Sequence, residues 1–453
     1  MKNKFRYKLT TTQIIMLSFL ILIGIGSILL AMPFSAADGE AVSYIDALFT
    51  ATTSVCVTGL VTVPTVSSWS FLGQFVILLL MQAGGLGVIT IVSMFMINLH
   101  KKIGIGDRML IQAAFNLNTL SGLVKFVKNV VLGTFLVEGA GALLYMTVFV
   151  PEYGVRGVWI SVFNAVSAFC NAGMDIISEN SLCEYALNPM VNIVTCLLIV
   201  LGGIGYIVWW DVIRVMRNFK RQGFACFKGM TLQSKLAISV TAFLIAAGAA
   251  AVFVLEYNNS LTLGGQTVWN KLQMAVFQSV TTRTAGFATL PQQNLKDATS
   301  VISLLLMFIG GSPAGTAGGI KTVTMLVLAA SALATIKNKN EVALFNRNIP
   351  KEAVNKSVAI MCTSFATAFA ATILLLAVTD AGALDVMYET VSATATVGLS
   401  RGLTTTLDLW GKIIIIITMY LGRIGPISLA IAFGTRKEKQ NIISNPTEEI
   451  VIG

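Results

Sequence analysis

The fold is decided by residues 49–60, which read FTATTSVCVTGL, and by three similar runs further along the chain. The other three are FNAVSAFCNAGM at 163–174, VFQSVTTRTAGF at 276–287 and YETVSATATVGL at 388–399. In each run a half-apolar stretch is followed by small polar residues and one glycine. These glycines, Gly59, Gly173, Gly286 and Gly398, are spaced 114, 113 and 112 residues apart. Three nearly equal intervals across most of the chain predict a fourfold internal repeat.

A second glycine-rich feature follows each of these glycines after 24 to 29 residues. The four features are Gly84-Gly85-Leu86-Gly87, Gly202-Gly203-Ile204-Gly205, Gly310-Gly311 and Gly422-Arg423-Ile424-Gly425. Close packing between helices is sufficient to explain this second set. It does not explain the first set, which lies in polar runs of ordinary loop composition. Each unit is therefore expected to contain a span, a short re-entrant segment, a glycine and a second span.

The composition is that of a membrane protein. Of the 453 residues, 55% are hydrophobic and 11% are charged, whereas about a quarter of the residues of a soluble protein are charged. This composition excludes a soluble enzyme, a disordered chain and a secreted disulfide scaffold. One histidine, His100, and six scattered cysteines without a C-x-x-C pair argue against a multi-histidine metal site and a disulfide framework.

Eight apolar stretches are long enough to cross a bilayer, whose core of about 30 Å requires about 20 helical residues. They cover residues 11–32, 71–98, 126–150, 189–213, 234–256, 298–335, 354–379 and 410–434. The first stretch follows several basic residues, as a signal peptide would, but it is long for one and is expected to be retained as a span. The sixth is interrupted at 310–319, where GGSPAGTAGG is too glycine-rich for a regular helix.

Lysine and arginine are concentrated in alternate connecting segments, which predicts the orientation. They occur in the N-terminus, in 100–125, 214–235 and 337–356, and in the C-terminal tail, whereas 33–70 has none. Both termini are therefore expected in the cytoplasm, in a multi-pass protein of the bacterial inner membrane. The net charge of +10 is interpreted as a topology signal, and nucleic-acid binding is not expected.

The predicted fold is an all-α membrane protein of four tandem helix–pore loop–helix repeats. Its eight transmembrane helices are expected to surround one central pore with fourfold pseudosymmetry. The predicted repeats are 1–100 with pore loop 41–60, 101–217 with pore loop 155–174, 218–336 with pore loop 268–287, and 337–453 with pore loop 384–399 and the C-terminal tail.

Backbone at membrane depth is tolerated only where protein buries it or water reaches it, so the four glycine runs can meet on a common axis. A short helix before each run would direct its partially negative C-terminus towards that axis. Glycine adopts positive φ angles, which lets adjacent carbonyls point inward. A ring of carbonyls without cationic side chains suits a dehydrated monovalent cation. Asp46, Asp385 and Glu389 are expected near the outer mouth, either concentrating cations or forming a solvated rim.

The four runs, together with SPAGTAGGIKT at 312–322 and LGRIGP at 421–426, resemble the Trk/Ktr/HKT superfamily of potassium transporters over essentially the whole chain. Eight spans without an additional N-terminal pair resemble the bacterial Ktr membrane subunit most. The resemblance implies potassium uptake by a homodimer that a ring of cytosolic nucleotide-binding subunits regulates. It also implies potassium ligands at Val57, Thr58, Gly59, Asn171, Ala172, Gly173, Thr284, Ala285, Gly286, Thr396, Val397 and Gly398.

The resemblance assigns the interruption of the sixth span as an intramembrane gate, with a simple kink as the alternative. The gate residues are Gly310, Gly311, Ser312, Pro313, Ala314, Gly315, Thr316, Ala317, Gly318 and Gly319, joined by Arg423. Arg423 is expected about 20 Å into the last span, where it would hold the loop through carbonyl hydrogen bonds or act only as a structural tether. Lys321 is expected to extend to the membrane interface. Ile320 breaks the likeness of this stretch to a phosphate-binding P-loop.

K+ is the expected cargo, and coupling to Na+ is left open. Only one glycine per repeat predicts fewer ordered ion sites and weaker discrimination between K+ and Na+ than a potassium channel has. No organic cofactor is expected, and membrane lipids are the surrounding partners. The alternatives are a secondary transporter of a small solute and a less selective Na+/K+ channel. A membrane enzyme would need a nucleophile motif or metal cluster that the sequence lacks, and a voltage-gated channel would need regularly spaced arginines.

Overall fold

The computed structural model describes residues 10–98, 104–115, 121–219, 223–339 and 341–425. Over these ranges the chain is helical except for its loops and one short antiparallel hairpin, β1 (Ala343–Leu344) with β2 (Arg347–Asn348). The predicted all-α class is therefore confirmed. His100 and the C-terminal tail lie outside the described residues.

The helices follow the order expected for four repeats. The first repeat contains α1 (Thr11–Leu30), α2 (Tyr44–Cys56), α3 (Thr65–Ser68), α4 (Phe71–Leu86) and α5 (Val88–Asn98). The second contains α6 (Ile105–Ala114), α7 (Leu123–Tyr153), α8 (Val155–Cys170), α9 (Pro189–Ile204) and α10 (Tyr206–Met216). The third contains α11 (Leu232–Glu256), α12 (Val268–Thr281), α13 (Asp297–Phe308) and α14 (Thr322–Ile336). The fourth contains α15 (Lys351–Val378), α16 (Ala383–Ala395) and α17 (Leu409–Ile424).

Each repeat contains one long unbroken apolar helix. These helices, α1, α7, α11 and α15, have 20, 31, 25 and 28 residues and are each long and apolar enough to cross a membrane. A shorter helix then re-enters the fold, and we call α2, α8, α12 and α16 the re-entrant helices. Ser43 and Thr267 begin two of them by accepting hydrogen bonds from backbone amides of the first turn, as helix N-caps do.

The second span is bent in the first two repeats. The sequence predicts uninterrupted spans at 71–98 and 189–213, but the chain bends by 94° between α4 and α5 and by 97° between α9 and α10. The bends lie at Gly87 and Gly205, whose φ angles are 84° and 94°. Only glycine adopts this region readily, and it ends the helical hydrogen-bond pattern. The predicted interruption of the sixth stretch is present as the segment between α13 and α14.

The four repeats close into a ring. The second span of each repeat packs against the re-entrant helix of the next, as α4 on α8, α9 on α12 and α13 on α16. The last of these contacts, α17 on α2, joins the fourth repeat to the first. Each re-entrant helix is therefore held between its own repeat and the preceding one.

Within a repeat, glycine lets the second span approach the re-entrant helix of the same repeat at backbone contact distance. A Cβ atom added to Gly84, Gly202 or Gly422 would collide with the backbone oxygen of Val55, Phe169 or Thr394, respectively. Each of those oxygens belongs to the residue four positions before a glycine of the first set. Helix packing, the simple explanation for the second glycine set, therefore accounts for three of its members.

Gly84→Ala is expected to destabilise the protein by about 1–3 kcal/mol, because the added methyl has no space beside the Val55 oxygen. Gly139→Ala is the matched control, since a Cβ at this helical glycine would meet nothing within 4 Å. Thermal unfolding in detergent should give a lower midpoint for Gly84→Ala alone. Equal midpoints for the two variants would contradict the packing argument.

Candidate functional site

The four re-entrant helices end in the same strained backbone turn. The residue two positions before each glycine has a positive φ: 55° at Val57, 59° at Asn171, 67° at Thr284 and 52° at Thr396. A residue with a side chain pays roughly 1–2 kcal/mol for this conformation, and a β-branched residue such as Val57 rarely adopts it. Strain repeated at four equivalent positions is typical of a functional site. We call residues 57–59, 171–173, 284–286 and 396–398 the glycine segments.

Backbone amides anchor these segments to their own helices. The amides of Thr58, Ala172 and Val397 donate to carbonyls five residues earlier, each at 2.8 Å. The Gly59 amide donates to the Thr53 hydroxyl at 2.9 Å, and the Gly398 amide donates to the Ser392 hydroxyl at 3.0 Å. In a trans peptide the C=O points opposite to the N–H that follows it. The carbonyls of the preceding residues therefore point away from the helices.

The segments meet in a closed ring. A Cβ on Gly59 would collide with the Ala172 oxygen, and one on Gly173 would collide with the Ala285 oxygen. A Cβ on Gly286 would likewise meet the Val397 oxygen, and one on Gly398 the Thr58 oxygen. Each glycine thus abuts a carbonyl of the next repeat, and the fourth abuts the first. The structure brings all four sequence-predicted segments together.

On one side the ring opens into a cavity of about 480 Å³ that all four glycines line. The acidic residues on its wall are Asp175 and Glu179, which the sequence analysis did not select. Asp175 lies only two residues beyond Gly173, and this closeness in sequence to a glycine of the first set could have identified it. Its burial raises the pKa of the Asp175 carboxyl to about 6, against the opposing effect of hydrogen bonds from the following turn.

The three acids expected near the outer mouth are each bonded to neighbouring side chains. Asp46 pairs with Lys412 at 2.7 Å, and Asp385 pairs with Arg401 at 2.6 Å. Glu389 is fully buried and accepts hydrogen bonds from the hydroxyls of Ser400 and Thr404. None of the three lines the cavity.

On the opposite side of the ring lies the loop formed by residues 310–319. It is bonded to the second repeat, because the amides of Ser312 and Thr316 donate to the carbonyls of Gly203 and Gly202 at 2.8 and 3.1 Å. The Thr316 hydroxyl also donates to the Phe169 oxygen at 3.0 Å. A Cβ on Gly318 would collide with the Thr396 side chain. The loop therefore lies directly against the ends of two re-entrant helices.

Arg423 joins this loop to the first repeat. Its guanidinium donates to the Thr316 oxygen and to the Gly84 oxygen, both at 2.7 Å. Lys321 does not extend to an interface as expected. Its ammonium turns back to the loop and donates to the oxygens of Ala317 and Gly318 at 2.6 and 3.3 Å.

Two other acids in or near spans have identifiable partners. Glu138 is buried on α7 and accepts a hydrogen bond from the Gln82 side chain at 3.1 Å. Asp211 pairs with Arg214 at 2.5 Å and accepts from the amide and hydroxyl of Thr231 at 2.8 Å. Among the described residues no cluster of three or more His, Cys, Asp or Glu side chains could hold a metal ion.

Comparison with known proteins agrees with this architecture. The TrkH family model, described as cation transport protein, matches residues 2–444. The Ktr system potassium uptake protein B of Bacillus subtilis is 39% identical over 98% of this chain and 97% of its own length. The potassium/sodium uptake protein NtpJ of Enterococcus hirae is 36% identical over 100% of this chain and 99% of its own. The crystal structure of the potassium transporter TrkH from Vibrio parahaemolyticus superimposes with a TM-score of 0.75, at 16% identity, over 96% of this chain and 86% of that one.

Arg423→Met should loosen the loop without disturbing the ring, because it removes two short hydrogen bonds from a charged donor. Such a bond contributes about 1.5–3 kcal/mol, so we expect amide hydrogen exchange in residues 310–319 to accelerate roughly tenfold or more. Lys412→Met is the control, since Lys412 lies on the same helix but pairs with Asp46. Equal loop exchange in the two variants would contradict the assignment of Arg423 as the clamp.

Proposed function

The chain belongs to the TrkH family of cation transport proteins, and from this premise we propose that it takes up potassium through the ring of glycine segments. The observation that carries the proposal is the ring itself, in which each glycine abuts a carbonyl of the next repeat. Under this proposal the glycine segments are the selectivity filter of one pore per chain. Potassium uptake is the activity named for the Bacillus subtilis relative.

The chemistry of the ring suits a bare monovalent cation. Carbonyl oxygens can replace the hydration shell of K+, and the amide anchors direct the carbonyls of the segments away from the helices. The side chains next to the glycines are uncharged: Thr58, Ala172, Ala285 and Val397. The C-terminal ends of the re-entrant helices add partial negative charge. The proposed ligands are therefore the backbone oxygens of the twelve residues predicted from the sequence.

The access routes on the two sides of the ring differ. We assign the cavity with Asp175 and Glu179 as the outer mouth, where negative charge raises the local concentration of cations. We assign residues 310–319, clamped by Arg423, as the gate loop that closes the inner side. This orientation puts both termini in the cytoplasm of a bacterial cell, as the distribution of lysine and arginine indicates.

The proposed assembly has further components. The relative named as protein B of a Ktr system supports a cytosolic regulatory subunit as a partner of this chain. We propose a nucleotide-binding ring of such subunits acting on a homodimer embedded in lipid. The Enterococcus hirae relative, named for potassium and sodium, supports a part for Na+ as co-ion or as a second permeant ion.

The chain is expected to restore growth of a potassium-uptake-deficient bacterium at low external K+. It should be expressed alone and together with a cytosolic regulatory subunit of a Ktr system. Growth that depends on the chain, with K+ accumulation measured in the cells, supports the proposal. Correctly inserted protein that accumulates no K+ in either setting contradicts it and favours a carrier of another solute.

Gly59→Ser is expected to shift selectivity from K+ towards Na+. The new side chain would collide with the Ala172 oxygen and occupy a φ of 99°, so the adjacent carbonyls must move out of line. Gly39→Ser is the matched control, because Gly39 also has a positive φ but a Cβ there would meet nothing within 4 Å. The readout is the ratio of Na+ to K+ uptake. An unchanged ratio in Gly59→Ser would count against the filter.

A further inference from the structure

The third glycine segment differs from the others at the residue three positions before its glycine. That position holds Cys56, Cys170 and Ala395 in the first, second and fourth repeats, but Arg283 in the third. The arginine is 7% exposed, so its guanidinium is buried behind the ring. Small side chains occupy this position in the other repeats. A large charged side chain in the third repeat alone therefore indicates a specific role.

The guanidinium is hydrogen-bonded to two elements outside its own glycine segment. One nitrogen, Nη1, donates to the Thr241 oxygen at 3.3 Å, which ties it to α11. The other, Nη2, donates to the Thr241 hydroxyl at 3.4 Å and to the Gly310 oxygen at 3.3 Å. Gly310 is the first residue of the gate loop. Arg283 thus links the third glycine segment to the base of that loop.

These hydrogen bonds are long, and the guanidinium has a spare donor. All three exceed the usual range for N–H to oxygen, and Nε has no hydrogen-bond partner. Within the described residues Arg283 forms no ion pair. A cavity of about 10 Å³ beside it, lined also by Thr241 and Gly311, has room for about one water molecule. The guanidinium therefore has both the space and the unused donor to follow a displaced carbonyl.

The third segment is anchored to its helix differently from the other three. Its helix, α12, ends at Thr281, five residues before the glycine, whereas the other three end three residues before theirs. The Ala285 amide donates to the Thr281 oxygen at 3.0 Å, and the Gly286 amide reaches the same oxygen only at 3.5 Å. The Thr281 hydroxyl also donates to the Phe287 oxygen at 2.6 Å. All these anchors depend on one residue, Thr281, so they change together when the segment beside Arg283 shifts.

We propose that Arg283 is a positioning residue that couples the gate loop to the selectivity filter. The proposal rests on the proposed function and adds a mechanical link to it. When the loop moves, the Gly310 oxygen moves with it, and a buried cation must keep its acceptors. Arg283 follows the loop and displaces the two residues that come next, Thr284 and Ala285, of which the Ala285 oxygen abuts Gly173 in the ring. By reciprocity, an ion in the filter changes the stability of the loop.

The test is amide hydrogen exchange of the purified full-length protein in saturating K+ and without K+. In the unmodified protein K+ should slow exchange in residues 49–60, the stretch that contains the first glycine segment. It should also change exchange in residues 310–319 at least fivefold, the lower end of ordinary coupling. In Arg283→Met, which keeps the length of the side chain but donates no hydrogen bond, the loop should no longer respond to K+. The filter should still be protected.

Further variants keep the test decisive if Arg283→Met fails to fold. Arg283→Lys retains a buried cation and should give a reduced response, and Thr241→Val removes the hydroxyl acceptor and should do the same. Lys412→Met is the control and should respond as the unmodified protein does. A loop response that is absent from the unmodified protein, or unchanged in the Arg283 and Thr241 variants, overturns the coupling. A filter that K+ does not protect overturns the proposed function instead.

Discussion

The structure depends on one steric constraint: four backbone segments approach so closely that none of their glycines has room for a Cβ atom. Gly59 faces the Ala172 oxygen, and the same contact recurs around the ring until Gly398 faces the Thr58 oxygen. Such an approach brings main-chain oxygens together without any charged side chain between them. Close packing also explains Gly84, Gly202 and Gly422 of the second glycine set, because each lets a helix pass within backbone contact distance of a re-entrant helix.

The same steric constraint explains which features of the structure the sequence predicts. The segments were found because backbone contact requires glycine at equal intervals, and the all-α repeat followed from that spacing. The bends at Gly87 and Gly205 were missed because one glycine in an apolar run is compatible with a continuous helix. The ion pair of Asp46 was not predicted because its partner, Lys412, lies 366 residues away in sequence. Lys321 was misplaced for a similar reason, since its acceptors are carbonyls of a loop whose conformation the sequence does not encode locally.

The four repeats are alike where they form the ring and unlike beneath it. The second spans of the first two repeats bend at a single glycine with nearly equal φ angles, and Gly425 ends α17 with a φ of 85°. The third repeat instead opens into a loop bonded to the second repeat and clamped by Arg423 from the fourth. Under the proposed function one movable loop gives one gate for one pore, whereas four equivalent loops would need to move together. The third repeat therefore differs from the other repeats at the loop, the element that must move under the proposed function.

Charge is distributed unequally across the ring. Asp175 and Glu179 line the cavity on one side, while Arg283, Lys321 and Arg423 surround the loop on the other. In the described part of the chain these three cations have no carboxylate partner and are held by backbone oxygens and the Thr241 hydroxyl. Under the proposed function a permeating cation is therefore attracted at the mouth and repelled below the ring, more strongly than in water because the surroundings have a low dielectric constant. Under the proposed function the closed loop is an electrostatic barrier as well as a steric one. Opening of the loop must break the hydrogen bond between Arg423 and the Thr316 oxygen. This opening moves the loop away from the guanidinium charge.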